Sequence, residues 1–150
     1  MKKITTFILL IAICLSLSSC GREPDAKKII NEFLGSYGAE GIVYSPLAAE
    51  GEPGYINDKF IKNLYSFSGR FPENYAIFLN NRTDFSSECA VFVCRDTEMA
   101  DMVEEMCLER IRLISGGGKH AFVKRSRNLC FYSTMKDRER AEKIFSEIIR

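Results

Sequence analysis

The sequence has little of what usually identifies a zinc protein, a membrane-spanning protein or a nucleic-acid-binding protein. It contains a single histidine, His120, and its six cysteines lack the spacing of a zinc site. Its apolar stretch at residues 4–19 has sixteen residues, too few for a permanent membrane span, which needs about 20. Its 21 basic and 20 acidic residues nearly cancel, so net charge alone indicates no partner.

The first twenty residues have the pattern of a secretory signal. Residues 1–3 read MKK, residues 4–17 are uncharged and mostly apolar, and two serines precede Cys20. A positive start, a short apolar region and small residues before a cleavage site are typical of a signal peptide. The ending LSSC, residues 17–20, differs from the usual Ala-x-Ala site and resembles the lipobox of bacterial lipoproteins.

This resemblance implies that a diacylglycerol is attached to the Cys20 thiol and that the chain is then cut before Cys20. Residues 1–19 are then the signal peptide, residues 20–24 the lipidated cysteine and a short tether, and residues 25–150 a single domain. One acyl chain alone binds a membrane only marginally, at about 0.8 kcal/mol for each buried methylene, so two fatty-acid chains such as palmitate are needed for stable anchoring. We therefore expect an extracytoplasmic protein, lipid-anchored in the cell membrane, with no other cofactor. The alternative, an uncleaved anchor with an incidental cysteine, also places the domain outside.

Four cysteines remain in the predicted domain: Cys89, Cys94, Cys107 and Cys130. Cys89 and Cys94 are five residues apart in an apparent strand, so their side chains should point to opposite faces and should not pair. Three interpretations are open for the set. The thiols are small buried apolar groups, or two of them form a disulfide, or one is a catalytic or metal-binding thiol.

Apolar periodicity predicts helices and strands along the whole domain. The first part has a helix from Asp25 to Tyr37 that Gly38 ends, a brief strand at residues 42–45, and a short helix after Asn57. The second part has strands at residues 75–79, 88–95, 120–124 and 129–134, a helix from about 96 to 115, and a last helix from Thr134. The order strand–strand–helix, repeated twice, predicts an α+β two-layer sandwich. In it, a four-stranded antiparallel sheet carries both later helices on one face, and the N-terminal helices pack on its edge or free face.

One segment resembles a known group of proteins. Residues 87–114 read SECAVFVCRDTEMADMVEEMCLERIRLI, and a basic hairpin and a closing helix follow. The acidic Glu88 before an apolar strand, the polar break at residues 95–96 and Arg110 late in an acidic helix are similar to a family of short, uncharacterised bacterial lipoproteins that carry a domain of unknown function. The resemblance covers about residues 60–150. It implies an envelope location and this fold, and it brings no activity.

Two candidate chemical motifs do not have the required context. SGGGKH at residues 115–120 follows a predicted helix and precedes a strand, whereas a phosphate-binding loop follows a strand and precedes a helix. His120 needs a nucleophile and an orienting acid within reach to act as a general base, and no local pattern supplies them. We therefore assign no catalytic residue and no metal ligand.

The best candidate binding surface is a basic hairpin. It combines four cations with a nearby aromatic residue: Lys119, Lys124, Arg125, Arg127 and Tyr132. Such a cluster can meet anionic lipid headgroups, an anionic envelope polymer or an acidic protein face. The alternative is that these charges discourage edge-to-edge pairing of an exposed strand.

The expected function is that of a non-catalytic binding or interaction module at the cell envelope. Its partners are the membrane, through the lipid anchor, and an envelope protein or anionic polymer. Nucleic acid does not suit an exported, anchored chain. The alternative function is an envelope enzyme, for example a thiol-dependent hydrolase that uses Cys94 or Cys130.

Overall fold

The structure, a computed structural model, describes residues 24–80, 87–114 and 117–150. The predicted signal peptide and Cys20 lie outside the described residues. The helices are α1 Ala26–Tyr37, α2 Asp58–Leu64, α3 Thr97–Leu113 and α4 Arg138–Ile148, with a 3₁₀ turn at Gly117–Lys119. The strands are β1 Ile42–Tyr44, β2 Asn74–Leu79, β3 Glu88–Val93, β4 Phe122–Ser126 and β5 Leu129–Ser133. The predicted α+β class is confirmed.

All five strands form one antiparallel sheet in the order β1-β2-β3-β5-β4. The prediction of four strands is therefore wrong by one. The additional strand is β1, which pairs with the end of β2 so that Ile42 lies opposite Leu79. This pairing joins the N-terminal part of the domain to the same sheet as the later hairpins.

Helices cover both faces of the sheet, so the predicted two-layer arrangement, with both later helices on one face, is also wrong. One apolar core lies between the sheet and helices α2 and α3, and the other lies between the sheet and helices α1 and α4. We call the side of the sheet that α2 and α3 cover the α3 face, and the side that α1 and α4 cover the α1 face. The burial of β3 explains why helices cover both faces, because all six of its residues are buried. A strand with one solvent-exposed face alternates apolar and polar residues, whereas a strand covered on both faces is a continuous apolar run.

Local capping explains where α1 begins and ends. The Asp25 carboxylate accepts hydrogen bonds from the backbone nitrogens of Lys27 and Lys28 at 2.9 and 3.1 Å. Gly38 adopts the left-handed conformation, at φ 78°, that commonly ends helices. Both predicted ends of this helix are confirmed.

The last helix begins later than predicted, at Arg138 rather than Thr134. Thr134 remains paired with β3, because its backbone nitrogen donates to the Glu88 carbonyl at 2.9 Å and its hydroxyl accepts from the Glu88 nitrogen at 3.0 Å. Asp137 then caps α4 by accepting from the Arg140 nitrogen at 3.0 Å. The extended pairing of Thr134 therefore delays the helix.

Candidate functional site

The predicted basic surface is divided by the alternation of β4. The Lys124 ammonium donates to the Ser146 hydroxyl at 2.6 Å on the α1 face. The Arg125 guanidinium lies on the α3 face, where it pairs with Asp101 and lies 3.5 Å from the Glu104 carboxylate. Neighbouring residues of a strand point to opposite sides of its sheet, so these two cations cannot act on one ligand.

The other members of the predicted surface are also apart. Tyr132 is fully buried in the core of the α3 face, so it has no surface on which to bind a partner. Arg127 is exposed at the tip of the β4–β5 turn, with φ 55°. Lys119 is exposed in the 3₁₀ turn before β4, at the opposite end of the sheet. The five residues therefore do not form one continuous surface.

A buried ion pair lies on the α3 face, between α3 and strand β3. Glu88, the first residue of β3, is fully buried, and only 12% of the Arg110 side chain is exposed. Arg110 donates from Nη2 and Nε to the two Glu88 carboxylate oxygens at 2.7 and 3.0 Å. It also donates from Nη1 to the Leu64 carbonyl at 3.2 Å. This two-pronged arrangement is the strongest form of arginine–carboxylate pairing.

The contacts of the pair favour its ionised form. Burial raises the pKa of Glu88, and the hydrogen bonds and charge of Arg110 oppose that rise. Desolvation lowers the pKa of Arg110, but the hydrogen bonds and charge of Glu88 outweigh it and raise this pKa. The raised pKa of Glu88 favours a neutral carboxyl, whereas the raised pKa of Arg110 favours a charged guanidinium. The hydrogen-bond geometry distinguishes between a neutral and an ionised carboxyl. A guanidinium is only a donor, and both Glu88 oxygens accept from it, which favours the carboxyl without its proton.

The ion pair fixes two helices on the sheet. Arg110 belongs to α3, Glu88 to β3, and the Leu64 carbonyl to the last residue of α2. Tyr65 follows directly, is buried, and its hydroxyl lies 3.4 Å from the Tyr132 hydroxyl. The pKa of Tyr65 is raised, first by burial and then by the Glu88 charge. These contacts set the distance between the end of α2 and the side of α3.

A surface cleft of about 530 Å³ lies between these two segments. Its apolar part includes Phe67, Met102 and Met106, and Met102 is 42% exposed. Its charged rim includes Asp101, Glu105 and Glu109, which are four residues apart and so share one side of α3. We call this the helix cleft. Asp101 pairs with Arg125, and Glu109 pairs with Arg112 at 2.8 Å, which leaves Glu105 without an ion pair among the described residues.

An apolar centre with a charged rim is the usual anatomy of a protein–protein interface. The spacing of the α3 residues is visible in the sequence, but their neighbour Phe67 is not. Phe67 is more than thirty residues earlier in the chain, and only the folded arrangement places it opposite Met102.

The cysteines of the domain are all buried free thiols: Cys89, Cys94, Cys107 and Cys130. The Cys130 thiol donates to the Ala100 carbonyl at 3.4 Å. Burial raises the pKa of Cys89 and Cys107 well above the ordinary thiol value. A hydrogen bond with Cys130 lowers the pKa of Cys94 and raises that of Cys130. The arrangement suits core packing, because a catalytic thiol has to reach its substrate.

The remaining features of the described residues are few. His120 is exposed directly before β4. Within residues 24–80, 87–114 and 117–150, no three His, Cys, Asp or Glu side chains are grouped so as to hold a metal ion. No helix in the same ranges has both the length and the apolar character of a membrane span.

Comparison with known proteins identifies no relative: no protein-family model, no curated protein and no solved structure matches the chain. The similarity of residues 60–150 to short bacterial lipoproteins therefore stays a prediction.

Proposed function

We propose that this protein is an extracytoplasmic lipoprotein, held on the cell membrane by a diacylglycerol on Cys20, whose domain is a non-catalytic interaction module. The observation that carries the proposal is the order of features in residues 1–20: a positive start, an uncharged apolar stretch and LSSC. The predicted resemblance to short bacterial lipoproteins implies the same location.

The fold supports an interaction role for such a protein. The tether leads into α1, which packs on the α1 face, whereas the helix cleft is on the α3 face. An anchored domain therefore keeps this cleft available to other molecules. Its exposed Met102, together with Glu105, which has no ion pair within residues 24–80, 87–114 and 117–150, suits a segment of an envelope protein that presents an apolar side chain beside a cation.

The alternative, a thiol-dependent hydrolase, has one observation in its favour, the lowered pKa of Cys94. Against it, Cys94 and the other three thiols have no exposed surface. A nucleophile that no substrate can touch does not perform hydrolysis, so the interaction module is the better-supported function.

The anchor is tested by Cys20→Ala, with Cys14→Ala as the matched control in the same segment. Wild-type protein and the Cys14 variant should be found in the membrane fraction and should float with lipid vesicles. The Cys20 variant should keep its signal segment and lose the fatty acid, since the thiol is the attachment point. Equal lipid content in both variants would contradict the proposed anchor.

The interaction surface is tested by photocrosslinking in cells. A benzophenone side chain in place of Met102 should give one defined adduct with an envelope protein, and Glu105→Lys in the same chain should reduce it several-fold. Leu113, which is 54% exposed on the same helix and does not line the cleft, is the control position. Adducts of equal yield from both positions, or none from Met102, would exclude the helix cleft as the contact.

A further inference from the structure

The beginning of the domain is fastened to one end of the sheet. Asn74, the first residue of β2, donates from Nδ2 to the Pro24 carbonyl at 2.9 Å, and its Oδ1 accepts from the Ala26 nitrogen at 3.1 Å. The strand register continues from this point across the sheet through one row of residues: Asn74, Val93, Leu129 and Ser126. The tip of the β4–β5 turn therefore lies at the same end of the sheet as Pro24.

These two segments enclose a second cleft, of about 980 Å³. Residues 24, 25 and 28 form one side of it and residues 126–129 form another. Ile29, Ile148 and Ile149 add apolar surface, and the charged Glu32 and Arg150 also line it. We call this region the tether end. Cys20 is four residues before Pro24, and four residues span at most about 14 Å, so a lipid on Cys20 holds the tether end near the headgroups.

The tether end carries cations without partners. Lys27, Lys28 and Arg127 are exposed, and none of them forms an ion pair within the described part of the chain. The nearby Asp25 carboxylate is occupied by backbone nitrogens of α1. The acidic α3 begins at this same end, where Arg125, next to Ser126, donates to the Thr97 carbonyl at 3.3 Å, and it then runs along the other face of the sheet.

We propose that the tether end rests on the membrane and that its cations bind the phosphate groups of anionic phospholipids. This inference rests on the proposed lipid anchor at Cys20. An anionic bilayer attracts Lys27, Lys28 and Arg127, which are exposed where the tether enters the domain, so their charge and the tether favour the same end of the sheet for membrane contact. The helix cleft shares no lining residue with the second cleft, so this contact leaves it open. This membrane surface includes Arg127 of the predicted basic hairpin, but not Lys119, Arg125 or Tyr132.

Single tryptophans can measure this orientation, because the chain has none of its own. Glu32→Trp places the probe beside the second cleft, and His120→Trp places it on exposed chain at the opposite end of the sheet. Each full-length lipidated protein is inserted into phosphatidylcholine vesicles with a dansyl group on some headgroups, with or without phosphatidylglycerol. Energy transfer from the probe at residue 32 should exceed that from the probe at residue 120 several-fold, and phosphatidylglycerol should increase the difference.

The cations are tested in the Glu32→Trp protein. Lys28→Gln with Arg127→Gln should abolish the increase caused by phosphatidylglycerol, whereas Lys119→Gln, at the opposite end of the sheet, should preserve it. Equal transfer from the two probe positions would overturn the proposal, and so would an unchanged lipid effect in the double variant. Flotation separates the two claims. Protein that does not float with either vesicle refutes the anchor, and protein that floats with equal transfer refutes only the membrane contact.

Discussion

At the scale of single residues, the pairing of Glu88 with Arg110 is the feature on which the helix cleft depends most. The sequence shows both residues, one at the start of an apolar strand and the other late in an acidic helix. It does not show that they meet, because 22 residues separate them. Burial of a charge is tolerated when the partner and its hydrogen bonds are complete, as they are for this pair.

Removing either partner should therefore cost more than removing both. Glu88→Leu or Arg110→Met alone leaves one buried charge without compensation, which typically costs about 3–5 kcal/mol of unfolding free energy. The double variant replaces the pair by apolar groups and should be more stable than either single variant. Urea unfolding followed by circular dichroism measures all three. A double variant as unstable as the sum of the two single changes would show that the pair does not act as a unit.

The positions of the predicted basic-surface residues could be worked out from the sequence only in part. The separation of Lys124 from Arg125 follows from strand alternation and was available without a structure. The burial of Tyr132 depends on Tyr65 and on α3 covering that face of β5, which no local pattern reveals. The exposed residues of a strand can be recognised from the sequence only when one face of the sheet is known to be exposed to solvent.

At the scale of elements, both ends of α1 and the start of α3 were predictable because capping is local, whereas the start of α4 was not. Asp25, Gly38 and Asp96 act on residues next to them in the chain. Layering was less predictable, because it depends on which face each helix covers. The continuous burial of β3 and β5 indicates two covered faces. The brief strand β1 was predicted, but only its pairing with β2 shows that it belongs to the same sheet.

The cap of α3 gives a prediction for pH. A hydrogen bond from the Met99 nitrogen, at 2.8 Å, is the main cause that lowers the pKa of Asp96 below its ordinary value of 3.8. A carboxyl with a lowered folded-state pKa stabilises the fold above its ordinary pKa, and this contribution disappears as the pH falls through the folded-state pKa.

Asp96→Asn keeps a capping oxygen but does not titrate. Wild-type protein should therefore have the higher urea midpoint at neutral pH, and the difference should narrow as the pH falls below 3.8. A control variant, Glu98→Gln, changes the same charge in the first turn of α3 without removing the cap. If the difference between wild type and Asp96→Asn does not change with pH, the ionised cap does not contribute to stability.

At the scale of the whole molecule, the two proposals concern different parts of the domain. In the proposed arrangement, the acyl chains and the tether end lie at the membrane, and the helix cleft stays open to a partner protein. The α+β class and most element positions could be predicted from apolar periodicity. The clefts could not, because each is formed by segments distant in sequence, such as Phe67 with Met102 and Pro24 with Arg127.

The central claim is the covalent anchor on Cys20, and the most direct test is the intact mass of the native protein extracted from membranes. We predict a chain that begins at Cys20, lacks residues 1–19 and carries the mass of a diacylglycerol on that cysteine. A chain that retains Met1, or a Cys20 without fatty acid, would contradict the account.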